Sequence, residues 1–307
     1  MEIYTPRDFP LKIPHPVATL GNFDGVHLGH QALIKETLHL AREMGGTPLA
    51  VTFEPHPRRI LRPEDPPPLL TTFEERLELF EAYGLSRVLV IPFGPELASL
   101  PPEEFVEEYL VDGLGLKGLV VGFNYRFGHA RRGDAALLKR LGEKWGFEVR
   151  VVPPQKIEGL MVSSSLIREL LLQGEVERAA RLLGRPYRLK GRVVPGEARG
   201  RTLGFPTANL EPPPEKLLPA RGVYAVRVQW AGKWWKAVMN LGQRPTFGGR
   251  RLCLEVHLFD FQGDLYGETL TVEFMRFLRP ERKFASPAEL RAQILEDCRQ
   301  ARKALTF

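Results

Sequence analysis

The pattern of apolar residues changes near Gly184, and this change constrains the fold more than any single motif does. Before it, apolar runs of strand length alternate with segments of helical period, which favours parallel strands joined by crossover helices. After it, strand-like runs follow one another across short turns, which favours an antiparallel sheet closed into a small barrel. The sequence therefore predicts an α/β fold with two domains, residues 1–184 and residues 185–307.

The predicted elements follow this division. In the first domain we expect strands at 17–20, 49–53, 87–93, 118–121 and 147–152. Helices are expected from residue 28 and over 73–83, 103–110, 135–145, 164–173 and 176–183. In the second domain we expect strands at 187–194, 222–230, 234–241, 252–261 and 265–278, and then a terminal helix from Pro287 with Ser286 as its N-cap.

Length and composition agree with two globular domains. The chain has 307 residues, and domains hold about 150 residues each. It has 2 cysteines, too few for a disulfide framework, which favours a reducing compartment. The N-terminus lacks the apolar core of a signal peptide, and the sequence contains no run of 18 apolar residues. We therefore expect a cytoplasmic protein with no membrane partner.

Charge is unevenly distributed between the two halves. Residues 1–184 hold 21 basic and 25 acidic residues, whereas residues 185–307 hold 22 basic and 12 acidic residues. A basic half suits either nucleic acid or phosphorylated small molecules. Its arginines stand singly except for Arg250-Arg251, and no basic run interleaves with aromatic residues, so we expect no nucleic-acid partner. A nucleic-acid-binding protein that uses this fold as a platform is the rival, and steep salt-dependent binding would reveal it.

The run 21–30 lies where a predicted strand gives way to a predicted helix. Its three glycines permit a tight turn and a close approach of the backbone to a ligand. A helix that begins near Leu28 aims its free N–H groups and its positive dipole end at the turn, which favours anions. His27 and His30 then share one face and can donate hydrogen bonds to phosphate oxygens. The alternative, two surface histidines at the start of an ordinary helix, stays open on this run alone.

Two further segments leave predicted elements in the same half. The segment 120–128 follows a strand, so a doubly wound sheet places it at the same crevice as the histidines. Its Arg126 can stabilise phosphate charge, and its aromatic residues can stack on a planar ring. Ser164 and Ser165 open a helix with hydroxyl and N–H groups, and Arg168 lies one turn further on. Each segment alone is equally consistent with a capped helix or with a turn that carries surface arginines.

The His27-Leu28-Gly29-His30 run resembles the signature of nucleotidylyl transferases. Together with 204–209, 240–246 and 255–261, the segments above resemble the bifunctional riboflavin kinase/FAD synthetase family of bacteria over nearly the whole chain. The resemblance implies a Rossmann-like doubly wound nucleotidylyltransferase domain and a C-terminal antiparallel β-barrel kinase domain with a terminal helix. It implies ATP as co-substrate, riboflavin and FMN as further substrates, and FMN and FAD as products. A chain that keeps these folds and only one of the two activities is the runner-up.

The resemblance also implies roles for individual residues. In the first domain His27 and His30 are catalytic, and the residues that bind ATP and its phosphates are Gly21, Phe23, Asp24, Gly29, Asn124, Arg126, Ser164, Ser165 and Arg168. Asn124 is assigned to binding rather than to acid/base chemistry. In the second domain the residues that bind ATP and flavin are Gly204, Pro206, Thr207, Asn209 and Arg244. Thr207 and Asn209 hold Mg²⁺, which needs few protein ligands when phosphates also bind it.

Glu255 is the candidate base of the kinase step, because an alcohol attacks phosphorus poorly until its proton is taken. Alternation along 252–259 places four apolar side chains on one face of the strand and the following residues on the other: Cys253, Glu255, His257 and Phe259. Residue pattern alone leaves open that Glu255 and His257 face water. No catalytic triad, Cys-x-x-Cys pair or zinc spacing competes with this assignment. The sequence assigns no role to His56 and leaves the oligomeric state open.

Overall fold

The computed structural model describes residues 1–196, 204–246 and 249–306, with the side chains of all of these except 244–246 and 249–252. It divides into two compact units, Met1–Ser164 and Ser165–Phe307. The predicted domain boundary at Gly184 lies after two helices that this division groups with the second unit, and it stays a prediction.

A six-stranded parallel sheet forms the centre of the first unit. Its strands are β1 Glu2–Tyr4, β2 Pro16–Leu20, β3 Thr47–Glu54, β4 Arg87–Pro92, β5 Gly118–Gly122 and β6 Glu148–Val152. Their order across the sheet is β1-β4-β3-β2-β5-β6, so the winding reverses between β2 and β5. Ligands of doubly wound sheets bind beyond the carboxyl ends of the strands at such a reversal. The segments that follow β2 and β5 therefore lie at the expected binding crevice.

Helices cover both faces of this sheet. They are α1 Leu28–Glu43, α2 Pro57–Leu61, α3 Phe73–Ala82, α4 Pro95–Ser99, α5 Pro102–Phe105, which continues as a π-helix over Val106–Gly113, and α6 Ala135–Trp145. A small hairpin, β7 Lys156–Ile157 and β8 Leu160–Met161, lies outside the sheet.

Strand residues alternate between two apolar cores because successive side chains point to opposite faces of a sheet. On one face, Ala50 packs with the buried residues of α1 and α3, such as Ile34 and Phe80. On the other face, Leu49 packs with the π-helix and α6, through residues such as Leu110. Burial on both faces accounts for the continuous apolar character of the strands in the sequence.

The second unit is built on a closed antiparallel barrel. The strands of the barrel are β9 Tyr187–Val194, β10 Ala208–Glu211, β11 Gly222–Trp230, β12 Lys233–Thr246, β13 Gly249–Leu258 and β14 Thr269–Arg279. Their order around it is β10-β13-β12-β11-β14-β9. The helices are α7 Ser164–Leu172, which begins one residue before the unit, α8 Val176–Leu183 and α9 Pro287–Ala304. The Ser286 side chain accepts a hydrogen bond from Glu289 N at 3.2 Å, as its predicted N-cap role requires.

The predicted fold class is confirmed, and several elements have the predicted bounds, including α6, α8, β9 and β11. The predicted helix 103–110 is wrong in type, since only Pro102–Phe105 is α-helical and a π-helix follows. The predicted strands 252–261 and 265–278 are displaced from the observed β13 and β14. Strands β1 and β10 are short and were missed by the periodicity.

Within the described residues, no helix combines the length and the apolar character needed to cross a membrane.

Candidate active sites

Residues 21–30, which we call the histidine turn, connect β2 to α1 at the reversal of the sheet. His27 is the N-cap of α1, and its Nδ1 accepts a hydrogen bond from His30 N at 3.3 Å. The two rings stack with centroids 3.7 Å apart and planes 15° apart. A Cβ at Gly29 would lie 3.0 Å from the His27 ring, so this position favours glycine. The predicted juxtaposition of the two histidines at a helix N-terminus is therefore observed.

The cap hydrogen bond defines how His27 can act. A ring nitrogen that accepts a hydrogen bond carries no proton, so in a neutral His27 imidazole the hydrogen is on Nε2. Two charged imidazolium rings stacked at 3.7 Å would repel each other. The pair is thus suited to donate hydrogen bonds to an anion beside the free N–H groups of the helix.

The turn itself has an unusual backbone. Phe23 and Val26 have positive φ values of 53° and 38°, a region that side chains other than glycine seldom occupy. Gly25, between them, has a φ of 86°. The Phe23 ring is completely buried and packs edge-on against Phe80 and His30, with centroids 5.2 and 5.3 Å away. Phe23 therefore supports His30 from the core side, and its predicted contact with ATP stays a prediction.

The loop after β5 carries Asn124, which is exposed, and Arg126. Arg126 Nη1 donates to Asp134 Oδ2 at 3.0 Å, and a bridge between Phe127 and Gly133 closes the loop. Asp134 is the N-cap of α6, and it accepts a hydrogen bond from Leu137 N at 2.9 Å. This N–H, together with the Arg126 guanidinium, holds the pKa of the Asp134 carboxyl below its ordinary value.

Ser164 is brought directly to the histidine turn, since its Oγ donates to the carbonyl oxygen of Asp24 at 2.9 Å. Asp24 is 2 % exposed, and its carboxylate accepts hydrogen bonds from the backbone of Leu70 and Thr71. Ser165 and Arg168 follow in α7 and belong to the second unit. Their predicted contacts with ATP stay predictions.

In the barrel, the segment 204–207 leads into β10 along the outer side of β13. His257 Nδ1 lies 2.7 Å from the carbonyl oxygen of Pro206, and its ring meets Phe205 edge-on with centroids 5.7 Å apart. Gly204 has a φ of 87°, which favours glycine there. Thr207 follows this segment and directly precedes β10, two residues before Asn209.

Glu255 lies opposite Asn209 of β10 on one side and opposite Asn240 of β12 on the other. Leu254, Val256 and Leu258 are buried, whereas Glu255 and His257 are partly exposed, as the alternation predicts. Phe259 departs from the predicted alternation, which placed it on the same face as Glu255. It is buried against Ala301 and Leu305 at the end of α9. Glu255 is thus partly exposed on β13, whereas Phe259, which directly follows the strand, is buried.

Two glycines of the second unit, one after β9 and one in β12, allow close approach of side chains. A Cβ at Gly196 would lie 2.5 Å from Asn209 Cγ, and a Cβ at Gly242 would lie 2.8 Å from Glu281 Cδ. Asn240 Nδ2 also approaches the same side of Gly242, at 3.3 Å from that Cβ position. Glu281 therefore contacts β12, the strand that pairs with β13 at Glu255. The sequence did not predict this contact, because Glu281 lies in a segment between β14 and α9.

The residues assigned to Mg²⁺ have suitable chemistry. Thr207 and Asn209 offer a hydroxyl and a carboxamide oxygen, which are hard donors of the kind that Mg²⁺ prefers. The Gly196 backbone leaves just enough room for the Asn209 amide. Within the described residues, no cluster of three or more His, Cys, Asp or Glu offers a competing metal site. The Arg244 side chain lies outside the described residues, so its predicted role stays a prediction.

Comparisons with known proteins separate the two halves in the same way. The family model described as FAD synthetase matches residues 12–166, and the one described as riboflavin kinase matches residues 183–305. A relative from Pseudomonas fluorescens named bifunctional riboflavin kinase/FMN adenylyltransferase is 43 % identical, over 93 % of this chain and 92 % of its own. The chain belongs to this bifunctional family. An Escherichia coli K12 relative of the same name is 40 % identical, over 94 % of this chain and 92 % of its own.

A solved structure shares the fold of this family member. It is named as a macrolide-efflux protein from Streptococcus pneumoniae, and it matches with a TM-score of 0.90 and 33 % identity over 98 % of this chain and 99 % of its own. The predicted family and the predicted enzyme class, riboflavin kinase and FMN adenylyltransferase, are confirmed by the family models and the curated relatives. The roles of individual residues are proposals.

Proposed function

We propose that the two activities of the family are carried out at two separate sites of this chain. FMN adenylylation takes place at the histidine turn, and riboflavin phosphorylation takes place on the outer face of the barrel at Glu255. The observation that carries this proposal is the position of the histidine turn, which lies at the reversal of the parallel sheet between β2 and β5.

In the adenylyl step, a phosphate oxygen of FMN attacks the α-phosphorus of ATP, and the bond to the β-phosphate breaks to release pyrophosphate. The nucleophile is already anionic, so the site needs no strong base. It must stabilise negative charge on the α-phosphate and on the leaving pyrophosphate. His27 and His30 supply N–H donors, and the N-terminus of α1 adds backbone N–H groups.

In the kinase step, the 5′-hydroxyl of riboflavin attacks the γ-phosphorus of ATP, and ADP leaves. The Glu255 carboxylate takes the hydroxyl proton, and its place opposite Asn209 puts it beside the residues proposed for the phosphates. Thr207 and Asn209 would hold Mg²⁺, whose charge offsets that of the ATP phosphates. The remaining requirement is to position the hydroxyl in line with the γ-phosphate.

The substrates are small molecules, and we propose that neither nucleic acid nor membrane takes part. The reducing cytoplasm is the proposed compartment, because the chain has only 2 cysteines and they form no disulfide. A salt-dependent retention of the protein on DNA or RNA would contradict the first statement.

The assignment of sites is tested by two substitutions assayed for both reactions. His30→Ala should slow FAD formation from supplied FMN by about 10²–10³, because it removes a preorganised donor, and should spare riboflavin phosphorylation. Glu255→Gln keeps the side-chain volume and removes the basic carboxylate, so it should slow FMN formation by about 10² or more and spare adenylylation. Equal loss of both reactions in either variant would contradict two separate sites.

A further inference from the structure

A buried arginine lies directly behind the histidine turn. Arg76, in α3, is 2 % exposed, and its Nη1 donates to the Asn22 carbonyl oxygen at 2.8 Å. The same nitrogen lies 3.4 Å from Thr52 Oγ1, and Nη2 forms an ion pair with Glu54. Its guanidinium thus joins the turn after β2 to the end of the neighbouring strand β3.

The other side of the turn is held by the segment that precedes α3. The two carboxylate oxygens of Asp24 accept hydrogen bonds from Leu70 N and Thr71 N at 3.2 and 3.0 Å. Gly25 N donates to Thr71 Oγ1 at 2.9 Å. Thr72 is then the N-cap of α3, which carries Arg76 one turn later. A single element, α3 with its leading segment, therefore braces the turn at both Asn22 and Asp24.

The turn needs such external support. Phe23 and Val26 are fully buried and have positive φ. This backbone conformation is unfavourable for residues other than glycine, so it is maintained only where the surrounding structure fixes it. The two braced positions flank Phe23, whose ring supports His30. A shift of Asn22 or Asp24 would therefore move the histidines relative to the helix N-terminus.

The burial of Arg76 and Asp24 favours a role for both that needs no contact with substrate. Both side chains are at least nine-tenths buried and directed at protein groups. A buried carboxylate would also repel the phosphates of ATP. This burial favours a positioning role for Asp24 over the ATP contact that the sequence resemblance implies, which stays a prediction.

We propose that Arg76 and Asp24 are positioning residues for FMN adenylylation, which hold the histidine turn in its productive geometry. This inference rests on the proposed function of the turn. A displacement of about 1 Å at a catalytic group costs about 10²-fold in rate. We expect the loss in kcat, with KM values for FMN and ATP close to those of the parent, because the substrates make no contact with either side chain.

The test compares Arg76→Met and Arg76→Lys with a control, Arg150→Met, that loses three ion pairs where Arg76→Met loses one. Arg150, in β6, pairs with Glu148 of the same strand and with Glu36 and Glu43, which lie beyond the first two turns of α1, so Arg150→Met removes three ion pairs without touching the turn. Each full-length variant is assayed for FAD formation from FMN, for riboflavin phosphorylation and for thermal unfolding, with kinetics measured well below its Tm.

Arg76→Met should lower kcat for FAD formation by about 10–10², and Arg76→Lys should recover part of the loss because an ammonium keeps the charge near Glu54 but lacks the planar fork. Riboflavin phosphorylation should be unchanged. Arg150→Met should lower Tm and keep kcat. Parent kcat in a folded Arg76→Met variant, or equal kcat losses in Arg76→Met and Arg150→Met, would overturn the proposal.

If Arg76→Met does not fold, Asp24→Asn decides, because it keeps the shape and sets an NH₂ group against a backbone N–H donor. A folded Asp24→Asn variant with parent kcat would overturn the proposal, and one with reduced kcat and unchanged KM supports it. His30→Ala, measured in parallel, distinguishes a failure of the proposed function of the turn from a failure of the positioning role. If it leaves adenylylation intact, the proposed function of the turn fails together with this inference, whereas a sensitive His30 beside an insensitive Arg76 rejects the inference alone.

Discussion

Gly196→Ala tests whether the position of the Asn209 side chain controls the kinase step. The added Cβ would lie 2.5 Å from Asn209 Cγ and 2.8 Å from Asn209 Oδ1, whereas ordinary contact begins at 3.4 Å. The amide must therefore move by about 1 Å, a displacement that costs about 10²-fold in rate when it affects a positioned group. The backbone of Asn209 cannot easily shift to absorb this displacement, because Asn209 is paired with Val194 of β9 and with Glu255 of β13.

The assay is FMN formation from riboflavin at saturating ATP and Mg²⁺, with FAD formation from supplied FMN as the internal reference. We expect a loss of about 10–10² in the first reaction and no change in the second. Gly191→Ala is the matched control on β9, because its Cβ would crowd Leu210 Cβ at 3.2 Å and no proposed ligand. Parent kinase activity in a folded Gly196→Ala variant would refute the reasoning and remove Asn209 from the proposed phosphate and Mg²⁺ site.

Two further predictions concern the same unit. Gly242→Ala places a Cβ 2.8 Å from Glu281 Cδ, so the Glu281 carboxylate must move away. We expect slower FMN formation and unchanged FAD formation from FMN. If the kinase step needs this carboxylate, Glu281→Gln should slow FMN formation as well. A fragment of residues 165–307 should phosphorylate riboflavin and show a higher Tm than a fragment of residues 185–307. The shorter fragment lacks α8, which packs against β9 and β14. Without this helix, the apolar surface that α8 covers on the barrel would be exposed to water. The buried residues of α8 are Val176, Ala179, Leu182 and Leu183. Equal Tm values would show that α8 adds nothing to the barrel.

Much of the fold is encoded in local pattern. The α1 helix and the turn before it were predicted because glycine spacing, apolar period and a capping histidine agree with one another. Strand β10 was missed because its four residues, Ala208 to Glu211, include one fully buried side chain and owe their conformation to pairing with β9 and β13. A strand defined by its neighbours leaves little signal in its own sequence.

The candidate sites divide in the same way. His27, His30, Ser164 and Glu255 are found where periodicity and topology placed them, since each lies at the end of an element or on a strand face. Arg76 gave no such signal, because an arginine on an amphipathic helix is normally exposed. Its burial depends on Glu54 and Asn22, which are 22 and 54 residues away in the chain. Contacts between distant segments of this kind are set by packing, and the sequence pattern does not record them.

The central claim is that FMN is made at the barrel and consumed at the histidine turn, by two sites that do not need each other's side chains. Mixing the His30→Ala and Glu255→Gln proteins tests it most directly, with riboflavin, ATP and Mg²⁺ supplied and FMN and FAD followed over time. We predict that His30→Ala alone accumulates FMN, that Glu255→Gln alone forms little of either product, and that the mixture forms FAD at a rate well above the sum of the two. A mixture that forms no more FAD than the separate variants would contradict the claim.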